Sequence, residues 1–218
     1  DILGISYLRA LEDTNIKPYL IQRTNNYHSD ELEEIASAKA IRMAIKDNKD
    51  YHMATPIDIK EPLFIDDLYP YLQRLLLTSD KKRLEEIFLV SEGIENLLIK
   101  NAYENDTYEG FLSASISRRY TRARIQRICT NIINNITKEE YKALEPLNYV
   151  RVLGFNSKGR EYLKQLRDRE DFKIVTQFKN IPESYKNIEW KVANIYASYT
   201  SDRKAYLKQE LRGPIIID

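Results

Sequence analysis

RRYTRARIQRICTNIINNI (118–136) decides more about the fold than any other stretch of this chain. Ile125, Ile128, Cys129, Ile132, Ile133 and Ile136 recur at intervals of three and four, the spacing of one buried helix face. Arg124 and Arg127 fall on the opposite side, Arg122 flanks the apolar stripe, and Arg118 and Arg119 lie at or before the helix start. The ten residues 118–127 hold five arginines and no acid, while the 218-residue chain, with 34 Lys and Arg against 33 Asp and Glu, sums to only +1. The other 208 residues therefore carry −4, and the excess positive charge sits in one place. Arginine offers a planar fork suited to phosphate oxygens, and Tyr120 offers a ring on which a base can stack, a combination suited to single-stranded or looped RNA. The competing reading is a solvated helix face neutralised by acids on neighbouring helices. Such a face usually interleaves Glu or Asp at i+4, and none occurs here.

Outward from this helix the pattern stays helical back to about residue 63. Asp66 and Asp67 predict a helix through Leu77, Ser79 and Asp80 one through Leu89, residues 91–100 a third built on Ile94, Leu97 and Leu98, and residues 108–115 a fourth. Beyond residue 147 the period shifts toward two. NYVRVLGF (148–155) and FKIVTQF (172–178) read as strands flanking the helix KGREYLKQLRDR (158–169), a β-α-β unit, and a helix from about Ile188 runs until Gly213-Pro214 breaks it. Towards the amino end, Ile2, Ile5, Leu8 and Leu11 predict a helix over 2–12, KPYLIQR (17–23) a strand, and Ile35, Ala38, Ile41, Ala44 and Ile45 a helix that Ser37 can open and Asn48 end. That order is the tail of an α/β unit. The proline-marked stretch TPIDIKEP (55–62) separates it from the rest. The expected fold is mainly α with a small α/β portion: residues 1–54 as the remnant of a Rossmann-like nucleotide-binding domain, and 55–218 as a helical domain with a small β-α-β element.

Composition removes several chemistries. One cysteine, Cys129, and two histidines, His28 and His52, cannot assemble a zinc site or a Cys-His or Ser-His-Asp nucleophile, although a carboxylate magnesium site stays open. A lone cysteine fits a reducing cytoplasm. None of the six glycines makes G-x-G-x-x-G. The longest apolar runs, such as LLL (75–77) and IFLV (87–90), exclude a membrane-spanning helix, and no signal peptide is evident. The chain opens at Asp1 inside an amphipathic phrase, so the expectation is that the natural protein extends before it.

Two further sites bind phosphate on paper. Arg23 ends a predicted strand, the edge at which open α/β sheets hold ligands, while Ser37 opens a helix carrying Arg42 one turn later, so N–H groups, helix dipole and guanidinium can converge on an anion. A second basic group, Arg151, Lys158, Arg160 and Lys164, flanks the turn GFNSKGRE (154–161). That turn nearly matches the P-loop spacing, but Glu161 stands where the magnesium-binding hydroxyl belongs. The glycines there read as turn geometry, with an anion-binding nest as the alternative.

The phrases ILGISYLRAL (2–11), IKPYLIQRTNNYHSD (16–30), IASAKAIRMAI (35–45), SEGIENLL (91–98), RRYTRARIQR (118–127) and YVRVLGFNSKGREYL (149–163) occur in an order that resembles the bacterial tRNA(Met) cytidine acetate ligase family, specifically its carboxyl-terminal part. The resemblance implies a HIGH-superfamily catalyst that turns ATP and acetate into acetyl-adenylate and passes the acetyl group to N4 of the wobble cytidine of elongator tRNA(Met). It implies ATP contacts for Arg23, Ser37 and Arg42, although Ala38 replaces a hydroxyl residue of the wider pattern. The tRNA contacts then fall to Arg118, Arg119, Tyr120, Arg122, Arg124, Arg127, Lys158 and Arg160. No residue is assigned as catalytic. The family's amino-terminal, histidine-bearing ATP signature is absent, so the chain alone is expected to bind tRNA without acetylating it. A stand-alone RNA-binding module and a nucleotidyltransferase for another substrate are the rival readings.

Overall fold

The computed structural model describes residues 2–22, 29–166 and 172–217. The chain forms two units, Asp1–Pro62 and Leu63–Asp218.

In the first unit, α1 (Ile2–Leu11) and α2 (Ala38–Lys46) are the helices the apolar spacing predicts. The expected strand over 17–23 does not form in its described part. Residues 17–22 carry no regular secondary structure, and Tyr19, Leu20 and Ile21 are exposed. A strand needs a neighbour to satisfy its alternating N–H and C=O groups, and this unit has no strand among its described residues. Ser37 caps α2 through its hydroxyl, as its residue type requires, and Asn48 leaves the helix in the left-handed region at φ 54.

The second unit is built on five helices, α3 (Ile65–Thr78), α4 (Lys81–Glu86), α5 (Ile94–Glu104), α6 (Tyr108–Ser115) and α7 (Arg122–Ile133). Helix α3 packs on α5, α6 and α7, and these bury Leu72, Leu76, Ile94, Leu98, Phe111, Leu112, Ile125, Ile128 and Cys129. The isoleucine face read from the sequence is therefore the core face of α7. At the start of α3 the cap is Phe64, whose N–H donates to Asp67 Oδ2 at 2.7 Å, so Asp67 acts from inside the first turn.

Two helix boundaries move. Helix α4 stops at Glu86 rather than continuing to Leu89, because Ile87 leaves it to form a β-bridge with Thr137 and the Phe88 N–H donates to Ile136 O at 2.9 Å. Helix α5 starts only at Ile94, because Glu92 (φ 62) and Gly93 (φ 78) are both left-handed and no helix can run through them.

The β-α-β expectation holds in part: the single strand expected over 148–155 breaks into two short strands that belong to separate sheets. The strands β1 (Tyr149–Arg151) and β3 (Lys173–Val175) pair in parallel around β2 (Gly154–Phe155) and α9 (Ser157–Gln165), which follow a short α8 (Lys138–Lys142). The closing helix is two helices, α10 (Glu183–Ala197) and α11 (Arg203–Glu210), the second capped by Asp202. After Gly213-Pro214 an unanticipated β4 (Ile215–Ile216) pairs in parallel with β2. Val175, Phe178 and Ile181 form a second, small core with Tyr149, Tyr185 and Trp190. Lys191 of α10 joins the two parts, donating to Asn135 O at 2.8 Å and pairing with Glu140.

Candidate nucleic-acid interface

Thr121 caps α7, accepting the Arg124 N–H, and a tight turn between Ser117 and Tyr120 delivers the chain to that cap. This turn settles the role of Tyr120. Its ring is only 8% exposed and packs into the helical core, with the guanidinium groups of Arg119 and Arg124 lying 5.6 and 5.1 Å from its centroid. Tyr120 is thus a support for two arginines, and the expected stacking platform for a base is corrected.

Three of the five arginines have carboxylate partners. Arg119 reaches Glu92 Oε2 at 3.0 Å and Arg124 reaches the same oxygen at 3.7 Å, while Arg122 grips Glu109 through two bonds of 2.9 and 2.6 Å. Arg118 and Arg127 are exposed and have no ion pair among the described residues. The acids stand 27 and 13 residues away, on the loop before α5 and on α6, which is why an i+4 search along one helix misses them. The solvated-face reading is right for part of the patch, yet five guanidinium groups still face two carboxylates. Exposed pairs of this kind add little stability and leave the forks exchangeable. Glu92 and Glu109 are the site residues that sequence reasoning overlooked.

The second basic group divides. Arg151 is a structural cation: its Nη1 donates to Glu189 Oε2 and Glu210 Oε1, both at 2.7 Å, and the guanidinium covers the Phe178 ring at 5.2 Å. Tyr149 completes the network by donating to Glu189 Oε1 at 2.7 Å, and burial together with that carboxylate pushes its hydroxyl well above the usual tyrosine range. Arg151→Met leaves two half-buried carboxylates without their shared cation. The expected cost is about 1–3 kcal/mol, read by denaturant unfolding, with β1 and α11 losing hydrogen-exchange protection first. Lys158 and Arg160, in contrast, are exposed on α9. The near-P-loop is a helix cap: Asn156 Oδ1 accepts the Gly159 N–H at 2.9 Å, and a Cβ on Gly159 would lie 3.0 Å from Phe155 Cβ. Packing explains that glycine, and the anion-nest alternative has no support.

In the first unit, Ser37 is 3% exposed and its one hydroxyl proton is committed, donated to Ser29 O at 2.8 Å, while the oxygen accepts the Ala40 N–H at 3.0 Å. Arg42 is exposed on α2. Arg23 and His28 lie outside the described residues. His52 stacks on Tyr51 and meets Asp50 at 2.7 Å; the His52 backbone N–H and ring together hold that carboxyl below its ordinary range. Burial pushes the Cys129 thiol up to about 12, so it stays a neutral core group. Among the described residues no cluster of three or more His, Cys, Asp or Glu is placed to hold a metal ion, and no helix is long and apolar enough to cross a membrane.

Comparison with known proteins follows the same outline. The chain is 33% identical over its whole length to the tRNA(Met) cytidine acetate ligase of Oceanobacillus iheyensis, of which it covers 60%. It is also 38% identical over 63% of its length to the enzyme of that name from Mycoplasmopsis synoviae, of which the match covers 47%. The chain therefore spans about 60% of the first of these, a share that supports the kinship without supporting the narrower expectation of a carboxyl-terminal part only. Its fold matches the crystal structure of apo Thermotoga maritima TmcAL with a TM-score of 0.80 at 22% identity, covering 99% of this chain and 60% of that one. The same protein bound with alpha-thio ATP matches with a TM-score of 0.77 at 21% identity. With the HIGH nucleotidyl transferase profile matching residues 1–210, nearly the whole chain, the protein belongs to the HIGH nucleotidyl transferase family.

Proposed function

We propose that this chain forms part of an ATP-dependent ligase that activates acetate as acetyl-adenylate and acetylates N4 of the wobble cytidine of elongator tRNA(Met). The observation that carries this reading is the whole-length match, at 33% identity, to a protein of that name. The second unit supplies the tRNA contacts, through Arg118, Arg119, Arg122, Arg124 and Arg127 at the start of α7 and through Lys158 and Arg160 on α9. The first unit belongs to the nucleotide-binding part, with Arg23 and Arg42 as phosphate ligands. Ser37 serves there as the cap that orients α2 rather than as a direct ligand, because both of its hydrogen bonds are internal. ATP is a substrate, and any magnesium arrives on its phosphates. A cytoplasmic setting follows from the tRNA substrate.

Acyl-adenylate formation requires donors aimed at the charge that develops on the α-phosphate. Neither His28 nor His52 stands in a histidine-bearing ATP signature, and the Ser37 hydroxyl is occupied. Given ATP, acetate and tRNA(Met), the 218-residue chain is therefore expected to retain the tRNA in a gel-shift assay and to form no acetylcytidine by mass spectrometry. Acetylcytidine above background would show that the chain carries the whole catalytic apparatus. Equal retention of unrelated RNAs, with no response to ATP, would favour the stand-alone RNA-binding module.

A further inference from the structure

Glu92 occupies an unusual position. Its backbone is left-handed at φ 62, a conformation unfavourable for a non-glycine side chain, and Leu89 (φ 71) and Gly93 (φ 78) share it in the same short loop. The loop holds the carboxylate between two guanidinium groups that belong to another element: Arg119 Nη2 at 3.0 Å and Nε at 3.2 Å, and Arg124 Nη2 at 3.7 Å. Arg124 also reaches Ser91 Oγ at 3.4 Å. The two guanidinium groups are braced against the buried Tyr120 ring, which fixes the space between them. Two forks converging from one helix start on a single anionic oxygen make a socket for one tetrahedral anion. The site is half-exposed, with Glu92 at 48% and Arg119 at 61% side-chain exposure, so an outside anion can reach it.

We propose that Arg119 and Arg124 form a subsite for one backbone phosphate of the bound RNA, and that the Glu92 carboxylate is its internal stand-in, displaced when the phosphate enters. This rests on the RNA-binding reading above and adds a selectivity device to it. A lone carboxylate holds the forks in place but yields to a backbone phosphodiester, whose two non-bridging oxygens match both forks and whose charge is reinforced by the neighbouring phosphates of the strand, so isolated anions are excluded and the patch stays quiet without RNA. It also accounts for a strained residue type at a position where glycine or asparagine would fit without strain.

The test uses Glu92→Asn in the full chain, since asparagine tolerates φ near +60 and cannot ionise. The variant is expected to bind tRNA about fivefold more tightly at low salt, the effect of removing one exposed ionic competitor worth about 1 kcal/mol. The gain should vanish in an Arg119→Ala/Arg124→Ala background, which a general loss of negative charge would not explain. A second readout needs no RNA. Inorganic phosphate should raise the melting temperature of Glu92→Asn more than that of the parent, and only while both arginines are present. A variant that binds tRNA no better than the parent, or whose gain survives in the double-alanine background, overturns the stand-in role while leaving the RNA reading intact. If the parent binds no tRNA yet phosphate stabilises Glu92→Asn through both arginines, the socket stands and the RNA reading falls.

Discussion

Replacing Arg119, Arg122, Arg124 and Arg127 together by alanine is expected to weaken tRNA binding by about two orders of magnitude near physiological salt. It should also flatten the plot of log affinity against log salt by about two to four units. Each guanidinium that neutralises a phosphate releases condensed counterions, so the slope counts contacts independently of how strong each one is. The structure sharpens the size of the effect. Arg122 neutralises Glu109, and Arg119 and Arg124 share Glu92, so the quadruple variant both deletes four cations and uncovers two carboxylates on the surface proposed for RNA. Arg118→Ala/Arg127→Ala removes two cations that have no carboxylate partner among the described residues, and should cost less affinity while still lowering the slope by about one to two units. Unchanged affinity and slope in the quadruple variant would return the cluster to a solvated face. The parallel Lys variant keeps the charge and loses the fork. It should keep most of the salt slope while losing part of the affinity, which separates bidentate recognition from simple charge. A circular dichroism melt within a few degrees of the parent shows that the loss lies in binding, because these arginines are largely exposed and exposed pairs contribute little to folding.

Much of the helical half was legible because one period ran through it. The α7 face reads directly from Ile125, Ile128, Cys129, Ile132 and Ile133, all of which are buried, and the range 108–115 coincides with α6. What failed was set by partners distant in sequence. Nothing local to KKRLEEIFL says that Ile87 will abandon its helix for Thr137, 50 residues on, or that Ile215 and Ile216 will pair with Gly154 and Phe155. The stretch 17–22 has the composition of a strand but no strand beside it among the described residues of its unit, and composition cannot supply a neighbour. The site shows the same division. The arginines announced themselves by local density, whereas Glu92 and Glu109, which set how much of that charge is free, were found only when α5, α6 and α7 were assembled. Tyr120 was misread for a related reason. Beside arginines in a linear sequence it looks like a platform, but the turn from Ser117 rotates it inward and makes it their brace.

Phe111→Ala is expected to cost about 3–5 kcal/mol, the largest stability loss predicted for any single substitution here. The ring is fully buried on α6, with Tyr69 of α3 at 5.4 Å and Tyr108 at 6.4 Å between centroids, and it sits where α3, α5, α6 and α7 meet. Removing it leaves a void that three rigid helices cannot close, and it strands Tyr69 and Tyr108, whose burial already pushes both hydroxyls up to about 12. Against a typical total of about 5–15 kcal/mol, such a loss is a large share. The melting temperature should fall by about 8–15 °C, whereas Phe111→Leu, which keeps most of the volume, should fall by less than half as much. The consequence for the arginine face can be separated from the loss of fold. Glu109 and Arg122 are held in register by α6 packing on α7, so warming should abolish tRNA binding in step with unfolding, while well below the melting point the variant should bind with the parent's salt slope. A reduced slope in the folded variant would mean that Phe111 positions the arginines directly, and a melting temperature within 3 °C of the parent would contradict the assignment of this ring to the centre of the core.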